Sequence, residues 1–288
     1  MTKIFSGIWV PLVTPFAADG QVDHAALRGL VKRYADAGIA GLVALGTTGE
    51  PSALDETEQD AVLATILDTA EGKLPVIAGH AGNHAPSLLA RAKQLSALPI
   101  AGLLVPAPYY VRPSQAGVED HFTRLADASA VPLVLYDIPY RTGVAIELDT
   151  LLTLAAHPNI AAIKDCAGNV TTTLELIRDG RLQMLAGNDI EMFATLCAGG
   201  AGAIAASAHL RPRAFVAMQR ALAADRLSEA RAAWHSLGPL ITALNAEPNP
   251  APVKSALARL GLIHEELRAP MTRASAALGN RLASLDLH

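Results

Sequence analysis

Short apolar runs that alternate with amphipathic stretches constrain this chain more than any other feature of its sequence. Eight runs of strand length lie at residues 8–13, 41–45, 75–78, 102–105, 132–136, 160–164, 182–186 and 202–206. The runs are apolar at successive positions, so both faces of the sheet that they form would be buried. Such a sheet is typical of parallel strands that are joined by crossover helices.

The stretches between these runs have helical spacing. In residues 24–37 the apolar positions 27, 30, 31 and 34 follow an i, i+3, i+4, i+7 pattern. The other predicted helices are 55–71, 85–95, 115–129, 146–156, 171–178, 189–197 and 212–222. Eight strands and eight helices in about 225 residues predict a (β/α)8 TIM barrel. A doubly wound sheet is the alternative, but it often carries a glycine-rich phosphate loop after its first strand, and residues 13–16 contain no glycine.

The strand pattern ends before the last quarter of the chain. Residues 227–244, 253–260 and 273–285 read as helices, and a proline-rich break lies at 247–252. This tail is too small for a core of its own. We therefore predict a catalytic barrel at residues 1–225 and a C-terminal helical region at 226–288 that packs on the barrel.

Composition excludes several classes of protein. Of the 288 residues, 51% are hydrophobic and 17% are charged, which argues against disorder. The net charge of −4 offers no basic field for nucleic acid or an anionic membrane. Two uncharged stretches, 94–111 and 192–210, are too rich in proline or in alanine and glycine to span a membrane. The first seven residues do not resemble a secretory leader, and two cysteines suit a reduced, cytoplasmic protein.

The sixth apolar run ends in a lysine. In a TIM barrel the chemistry lies at the carboxyl ends of the strands, where Lys164 would stand. A lysine that points into the barrel loses hydration, so its pKa falls and its neutral amine can attack a ketone to form a Schiff base. The alternative is a structural lysine that reaches solvent or pairs with Asp165.

Other strand ends also carry polar groups. Thr47 and Thr48 lie between glycines after the second run, where they would either bind a small anion or cap a helix. Tyr136 ends the fifth run and Arg141 follows five residues later. They would act either as a proton donor and a carboxylate ligand or as an aromatic lid beside a solvated cation. The nine histidines show no metal-binding spacing, so we predict no metal site.

These segments together resemble the dihydrodipicolinate synthase family, which belongs to the N-acetylneuraminate lyase superfamily of class I aldolases. The resemblance runs from residue 7 to about residue 271. The motifs that carry it are GTTGE at 46–50, PYY at 108–110, YDIPYRTG at 136–143, IKD at 163–165 and EPNPAPVK at 247–254.

The resemblance implies a lyase reaction of lysine and diaminopimelate biosynthesis. In it, pyruvate would form a Schiff base with Lys164 and condense with L-aspartate 4-semialdehyde to give 4-hydroxy-tetrahydrodipicolinate. It assigns catalytic roles to Lys164, Tyr136, Thr47 and Tyr110, and substrate-binding roles to Thr48, Arg141 and Ile204. In this family Tyr110 reaches into the site of a neighbouring subunit. The resemblance also implies a cytoplasmic homotetramer that needs no cofactor, since the iminium is itself the electron sink.

Three residues depart from the family pattern. Asp137 stands where asparagine is usual, Tyr140 replaces a small residue, and Cys166 replaces alanine or an acid. Asp137 and Tyr140 leave the identity of the second substrate open, so the alternative is another pyruvate-dependent aldolase or lyase that takes a different aldehyde or 2-keto acid.

The family's lysine inhibitor site is also altered in this sequence. Asn83 and Tyr109 match it, whereas Ser87 replaces its acid and Glu56 and Gln59 replace its histidines. We expect inhibition by lysine to be weak or absent; the alternative is that Glu56 or Glu58 supplies the missing acid from the other side.

Overall fold

The computed structural model describes residues 4–288, and its eight strands follow one another in sequence order around a closed barrel. The predicted (β/α)8 barrel is therefore confirmed. The strands are β1 Gly7–Pro11, β2 Gly41–Ala44, β3 Val76–Gly79, β4 Gly102–Pro106, β5 Leu133–Asp137, β6 Ile160–Asp165, β7 Gln183–Ala186 and β8 Gly202–Ile204.

Twelve α-helices are found in residues 4–288. They are α1 His24–Ala37, α2 Glu56–Ala70, α3 Ala85–Ser96, α4 Gln115–Ala128, α5 Pro139–Thr142, α6 Leu148–Leu154, α7 Val170–Asp179, α8 Met192–Cys197, α9 Pro212–Ala223, α10 Leu227–Leu244, α11 Ala251–Arg259 and α12 Ala276–Ala283. Side chains that cap the first turn fix several of these starts. Asp55 and Glu58 form a reciprocal capping box on α2, and Asn169 accepts a hydrogen bond from the Thr172 amide of α7.

Some element bounds differ from the sequence prediction. The proline-rich break was predicted to last through Pro252, but α11 already begins at Ala251. Proline is tolerated in the first turn of a helix, because the amide that it lacks would have no partner there. The short helix α5 was not predicted, since four residues carry too little periodicity to be recognised.

The chain forms two compact units. One unit comprises Ile77–Ile204 with the described residues before Gly7, and it contains β4 to β8. Its apolar core includes strand residues such as Val105, Leu135 and Ile163. The predicted division, at residue 225, separates the barrel from the C-terminal helices and does not correspond to these two units. It stays a prediction. Residues 1–3 lie outside the described residues. They are the first residues of the predicted barrel and of the segment that was compared with a secretory leader.

The other unit comprises Gly7–Val76 and Ala205–His288. Gly41 in β2 lies against Trp9, where any Cβ at residue 41 would come within 2.2 Å of the indole ring. His209 is fully buried and accepts a hydrogen bond from the Val13 amide at 3.2 Å. Burial lowers the pKa of His209 to about 4, so the ring is neutral at physiological pH and serves packing.

Among residues 4–288, no helix is both long enough and apolar enough to cross a membrane. Both cysteines are free thiols: Cys166 is buried and Cys197 is exposed.

Candidate active site

The last residues of β5 and β6 bring Lys164 and Tyr136 together. The two residues are direct partners in the parallel pairing, so their side chains project from the same face of the sheet. The Lys164 Nζ lies 4.2 Å from the centre of the Tyr136 ring. Both side chains are buried, with 7% of Lys164 and 5% of Tyr136 exposed. An amine and a phenol thus lie side by side, shielded from water, at the carboxyl ends of two neighbouring strands.

The neighbouring pair, Asp137 and Asp165, projects from the opposite face of the same two strands. Asp165 accepts hydrogen bonds from the Ala167 amide at 2.9 Å and from the Thr173 hydroxyl at 2.5 Å. The sequence alternative in which Asp165 pairs with Lys164 is therefore not what the structure shows. Asp137 is 2% exposed and accepts from the Ile146 amide at 3.3 Å. Burial, reinforced by the charge of Asp165, raises the pKa of Asp137 to about 7.

Cys166 and Gly187 shape the space beside Lys164. Burial raises the pKa of the Cys166 thiol to about 12, so it stays protonated, and the Tyr136 side chain forms a hydrogen bond with it. A Cβ at Gly187 would lie 2.3 Å from the Cys166 sulfur and 3.0 Å from Lys164 Cε. Only glycine fits there. Sequence reasoning missed this residue, whose signal was its place directly after the seventh apolar run.

Arg141 and Tyr110 lie in the two segments that follow β5 and β4, respectively. The guanidinium carbon of Arg141, on α5, lies 5.7 Å from the centre of the exposed Tyr140 ring, within the range of a cation–π contact. The Tyr110 amide donates to the Thr142 carbonyl at 3.1 Å and so joins the two segments. The Tyr110 side chain is 89% exposed. Ile204, the last residue of β8, is buried.

Thr47 and Thr48 lie in the other unit, in a 3-10 turn at Thr47–Gly49 that follows β2. Thr47 is half-buried, whereas Thr48 is buried. The Thr48 hydroxyl accepts a hydrogen bond from the side-chain amide of Asn249 at 2.9 Å. The turn is also held by the Thr14 hydroxyl, which donates to the Gly49 carbonyl at 2.7 Å.

A buried ion pair joins the residue after this turn to the C-terminal helices. Lys254 in α11 is fully buried and pairs with Glu50, which is 4% exposed. The Lys254 Nζ also donates to the Glu266 carbonyl at 2.9 Å and lies 4.1 Å from the centre of the Phe16 ring. Burial lowers the pKa of Lys254, and the Glu50 carboxylate opposes that shift.

Sequence reasoning missed Lys254, because it lies in a helical segment, where a lysine is usually exposed. The available signal was that Glu50 and Lys254 both belong to motifs that carried the family resemblance.

Residues 4–288 contain no group of three or more histidine, cysteine, aspartate or glutamate side chains that could hold a metal ion. The chemistry available at Lys164 and Tyr136 is that of an amine nucleophile next to a phenol that can donate or accept a proton.

Comparison with known proteins gives matches over nearly the whole chain. A family model described as the dihydrodipicolinate synthetase family matches residues 4–285. The 4-hydroxy-tetrahydrodipicolinate synthase 2 of Clostridium acetobutylicum is 38% identical over 279 residues, which cover 96% of this chain and 97% of that protein.

Solved structures give matches of similar extent. The chloride-inhibited dihydrodipicolinate synthase of Acinetobacter baumannii, complexed with pyruvate, superposes with a TM-score of 0.93 at 34% identity and covers 96% of both chains. The enzyme of Cyanidioschyzon merolae with lysine bound has a TM-score of 0.93 at 30% identity, covering 98% of this chain and 97% of that one.

Proposed function

We propose that this chain, which belongs to the dihydrodipicolinate synthetase family, condenses pyruvate with L-aspartate 4-semialdehyde to give 4-hydroxy-tetrahydrodipicolinate. The observation that carries the proposal is the buried Lys164 at the end of β6, packed on the ring of Tyr136. The names of the relatives support the reaction, and the pyruvate complex of the A. baumannii enzyme supports the first substrate.

The reaction begins at the amine of Lys164. It attacks the ketone carbon of pyruvate, and loss of water leaves an iminium between the two. Removal of a methyl proton then gives an enamine, whose carbon attacks the aldehyde of the second substrate. The amine of that substrate displaces Lys164 from the iminium, which closes the ring and frees the enzyme. The iminium accepts the electron pair of the broken C–H bond, and the enamine passes that pair to the aldehyde carbon, so the proposed chemistry uses no metal and no organic cofactor.

Proton transfer is assigned to three hydroxyl groups. The contact between Tyr136 and Lys164 supports the phenol as the group that carries protons to and from the forming carbinolamine. Thr47 and Tyr110 would extend the relay. Because the Tyr110 side chain is 89% exposed, its phenol is available to the site of a second subunit. This supports a homo-oligomeric working unit, which we propose to be a tetramer located in the cytoplasm.

Substrate binding is assigned to Thr48, Ile204 and Arg141. The Thr48 hydroxyl and the backbone of Ile204 would hold the carboxylate and keto group of pyruvate. Arg141 would hold the carboxylate of the semialdehyde through charge-assisted hydrogen bonds. A second candidate, condensation of pyruvate with another aldehyde, is favoured by one observation: Tyr140, which departs from the family pattern, contacts Arg141.

The second substrate can be tested with a panel of aldehydes that includes aspartate semialdehyde. The Arg141→Ala variant should raise the KM for the semialdehyde ten- to a hundredfold and leave the KM for pyruvate near that of the parent. Equal changes in both constants would assign Arg141 to structure, and a higher kcat/KM for another aldehyde would favour the second candidate.

Weak or absent inhibition by lysine is part of the proposal. The residue in place of the family's acid, Ser87, has its hydroxyl 2.7 Å from His84 Nδ1 and carries no charge for an ammonium group. Gln59 donates to the carbonyls of Pro51 and Leu54. A lysine titration of the purified enzyme should therefore show little inhibition below millimolar concentrations, and Ser87→Glu should increase it. Strong inhibition of the parent would contradict this.

The decisive test of the function is borohydride reduction in the presence of pyruvate, followed by peptide mass analysis. The peptide that contains Lys164 should gain a pyruvate-derived mass, and the Lys164→Ala protein should gain none. Unmodified Lys164, or equal labelling of Lys164→Ala, would rule out the Schiff-base mechanism.

A further inference from the structure

Two segments that lie far apart in the chain meet at the Thr48 turn. The side-chain Nδ2 of Asn249 donates to the Thr48 hydroxyl oxygen at 2.9 Å, across a separation of 201 residues. Glu50 and Lys254 make a second connection between the same two segments. The segment that ends in α11 therefore touches the turn at two points, one on each side of Gly49.

The direction of the first hydrogen bond has a consequence for Thr48. A hydroxyl has one proton to donate and two lone pairs that accept. Because Thr48 accepts from Asn249, its own proton remains available to donate to an anionic ligand. The other polar atom of the amide, Asn249 Oδ1, is buried and has no hydrogen-bond partner among the described residues. Burial of this unpaired oxygen costs free energy, and the hydrogen bond from Nδ2 of the same side chain to Thr48 offsets part of that cost.

The second connection holds the turn in an unusual backbone conformation. Glu50 has a φ of 54°, in the left-handed region that non-glycine residues seldom occupy. Its carboxylate is fixed by Lys254 and also accepts from the Arg268 amide at 3.4 Å. Arg268 is fixed in turn by paired hydrogen bonds to Glu58, at 2.6 and 2.7 Å. The buried Glu50–Lys254 pair thus ties the turn to the first turn of α11.

We propose that Asn249 is a positioning residue for the keto-acid substrate: it orients the Thr48 hydroxyl so that its proton points at the substrate carboxylate, and the Glu50–Lys254 pair holds the two segments in register. The proposal rests on the proposed function, in which Thr48 binds the carboxylate of pyruvate. It gives the C-terminal region a part in substrate binding without direct contact to the reacting atoms.

The test compares Asn249→Ala, Asn249→Asp and Thr48→Val with the parent enzyme. The measured quantity is the pyruvate concentration that gives half-maximal borohydride labelling of Lys164, together with the KM for each substrate. Asn249→Ala should raise the half-saturating pyruvate concentration about three- to tenfold, the range of one neutral hydrogen bond, and leave the KM of the aldehyde unchanged. Asn249→Asp keeps the shape but replaces the donor with an acceptor, so it should weaken pyruvate binding more than Asn249→Ala does.

A double variant separates positioning from general packing. If Asn249 acts through Thr48, Asn249→Ala should add less than twofold to the effect of Thr48→Val. Asn245→Ala is the matched control, because the side-chain amide of Asn245 donates to the Ile241 carbonyl of the adjoining helix α10, and this variant should behave like the parent.

Several outcomes would overturn the inference. Additive effects of the Asn249 and Thr48 variants, equal changes for both substrates, or no change in Asn249→Ala would each do so. If Asn249→Ala does not fold, the nearly isosteric Asn249→Asp decides by the same criteria. A parent protein that is not labelled by pyruvate at all would instead refute the proposed function, and this inference would fall with it.

Discussion

Two buried lysines lie in the two units of this protein, and the groups around their amines differ. Both ammonium groups lie over an aromatic ring at nearly the same distance, 4.2 Å for Lys164 on Tyr136 and 4.1 Å for Lys254 on Phe16. Lys254 also has a buried carboxylate partner in Glu50. The carboxylate nearest to Lys164 in sequence, Asp165, is bonded to Ala167 and Thr173 instead.

The difference matches the roles proposed for the two lysines, Lys164 in the reaction and Lys254 in the structure. A buried cation with a carboxylate partner is stabilised in its charged form, and a charged amine is not a nucleophile. A phenol can carry a proton to or from the lysine beside it, which the ring of Phe16 cannot do. Burial alone therefore does not distinguish the two lysines, whereas the group opposite each amine does.

The largest expected effect is that of Lys164→Met. Activity should fall by a thousandfold or more, because the nucleophile is lost. The Tm should not fall, since an apolar side chain of similar length replaces a buried amine. Steady-state kinetics and thermal unfolding on the same preparation check both statements. A variant that loses activity only because it unfolds would remove the contrast between the two lysines.

Tyr136→Phe makes the surroundings of Lys164 more like those of Lys254. The ring remains under the amine, but the hydroxyl that transfers protons is lost, so kcat should drop about a hundredfold. The KM for pyruvate should change little. Stopped assays at saturating pyruvate provide the measurement, and a kcat equal to that of the parent would show that Tyr136 serves only packing.

Lys254→Met should have the opposite effect to Lys164→Met. Removal of one partner from a buried pair leaves the Glu50 charge uncompensated, which costs about 3–5 kcal/mol and lowers the Tm by about 10 °C. The folded fraction should still be labelled at Lys164 by pyruvate and borohydride. Glu50→Gln combined with Lys254→Met should recover part of the loss.

The surface variant Lys73→Met is the control for Lys254→Met, since Lys73 is 80% exposed and should tolerate the change. Equal stability of Lys254→Met and Lys73→Met would contradict a structural role for Lys254.

The smallest expected effect concerns Asp137, a buried acid that, unlike Glu50, has no ion-pair partner among residues 4–288. Burial raises the pKa of Asp137 from its ordinary value of 3.8 to about 7. Its stabilising contribution is therefore complete below pH 3.8 and is lost as the pH rises to about 7. Asp137→Asn stays neutral, so its Tm should match the parent near pH 4 and exceed it by about 5 °C above pH 7.5. Thermal unfolding from pH 4 to 8.5 measures this, and a constant difference across that range would exclude titration of Asp137 as the cause.

The sequence by itself determined the barrel and the identity of the candidate nucleophile. Eight apolar runs at strand spacing are a repeated signal, and one lysine at the end of such a run is conspicuous, because hydration normally keeps lysine out of buried strands. The roles of the seven predicted site residues stay predictions. The structure adds that Lys164 and Tyr136 are partners across β5 and β6.

Only the tertiary structure decided what lies opposite each buried charge. Glu50 and Lys254 are 204 positions apart, and nothing local in either segment indicates their pairing or the hydrogen bond from Asn249 to Thr48. Periodicity reports which face of an element is buried, because that depends on neighbours in the same helix or strand. Which polar groups meet inside the fold depends on how distant segments pack, and that information is absent from the local pattern of either segment.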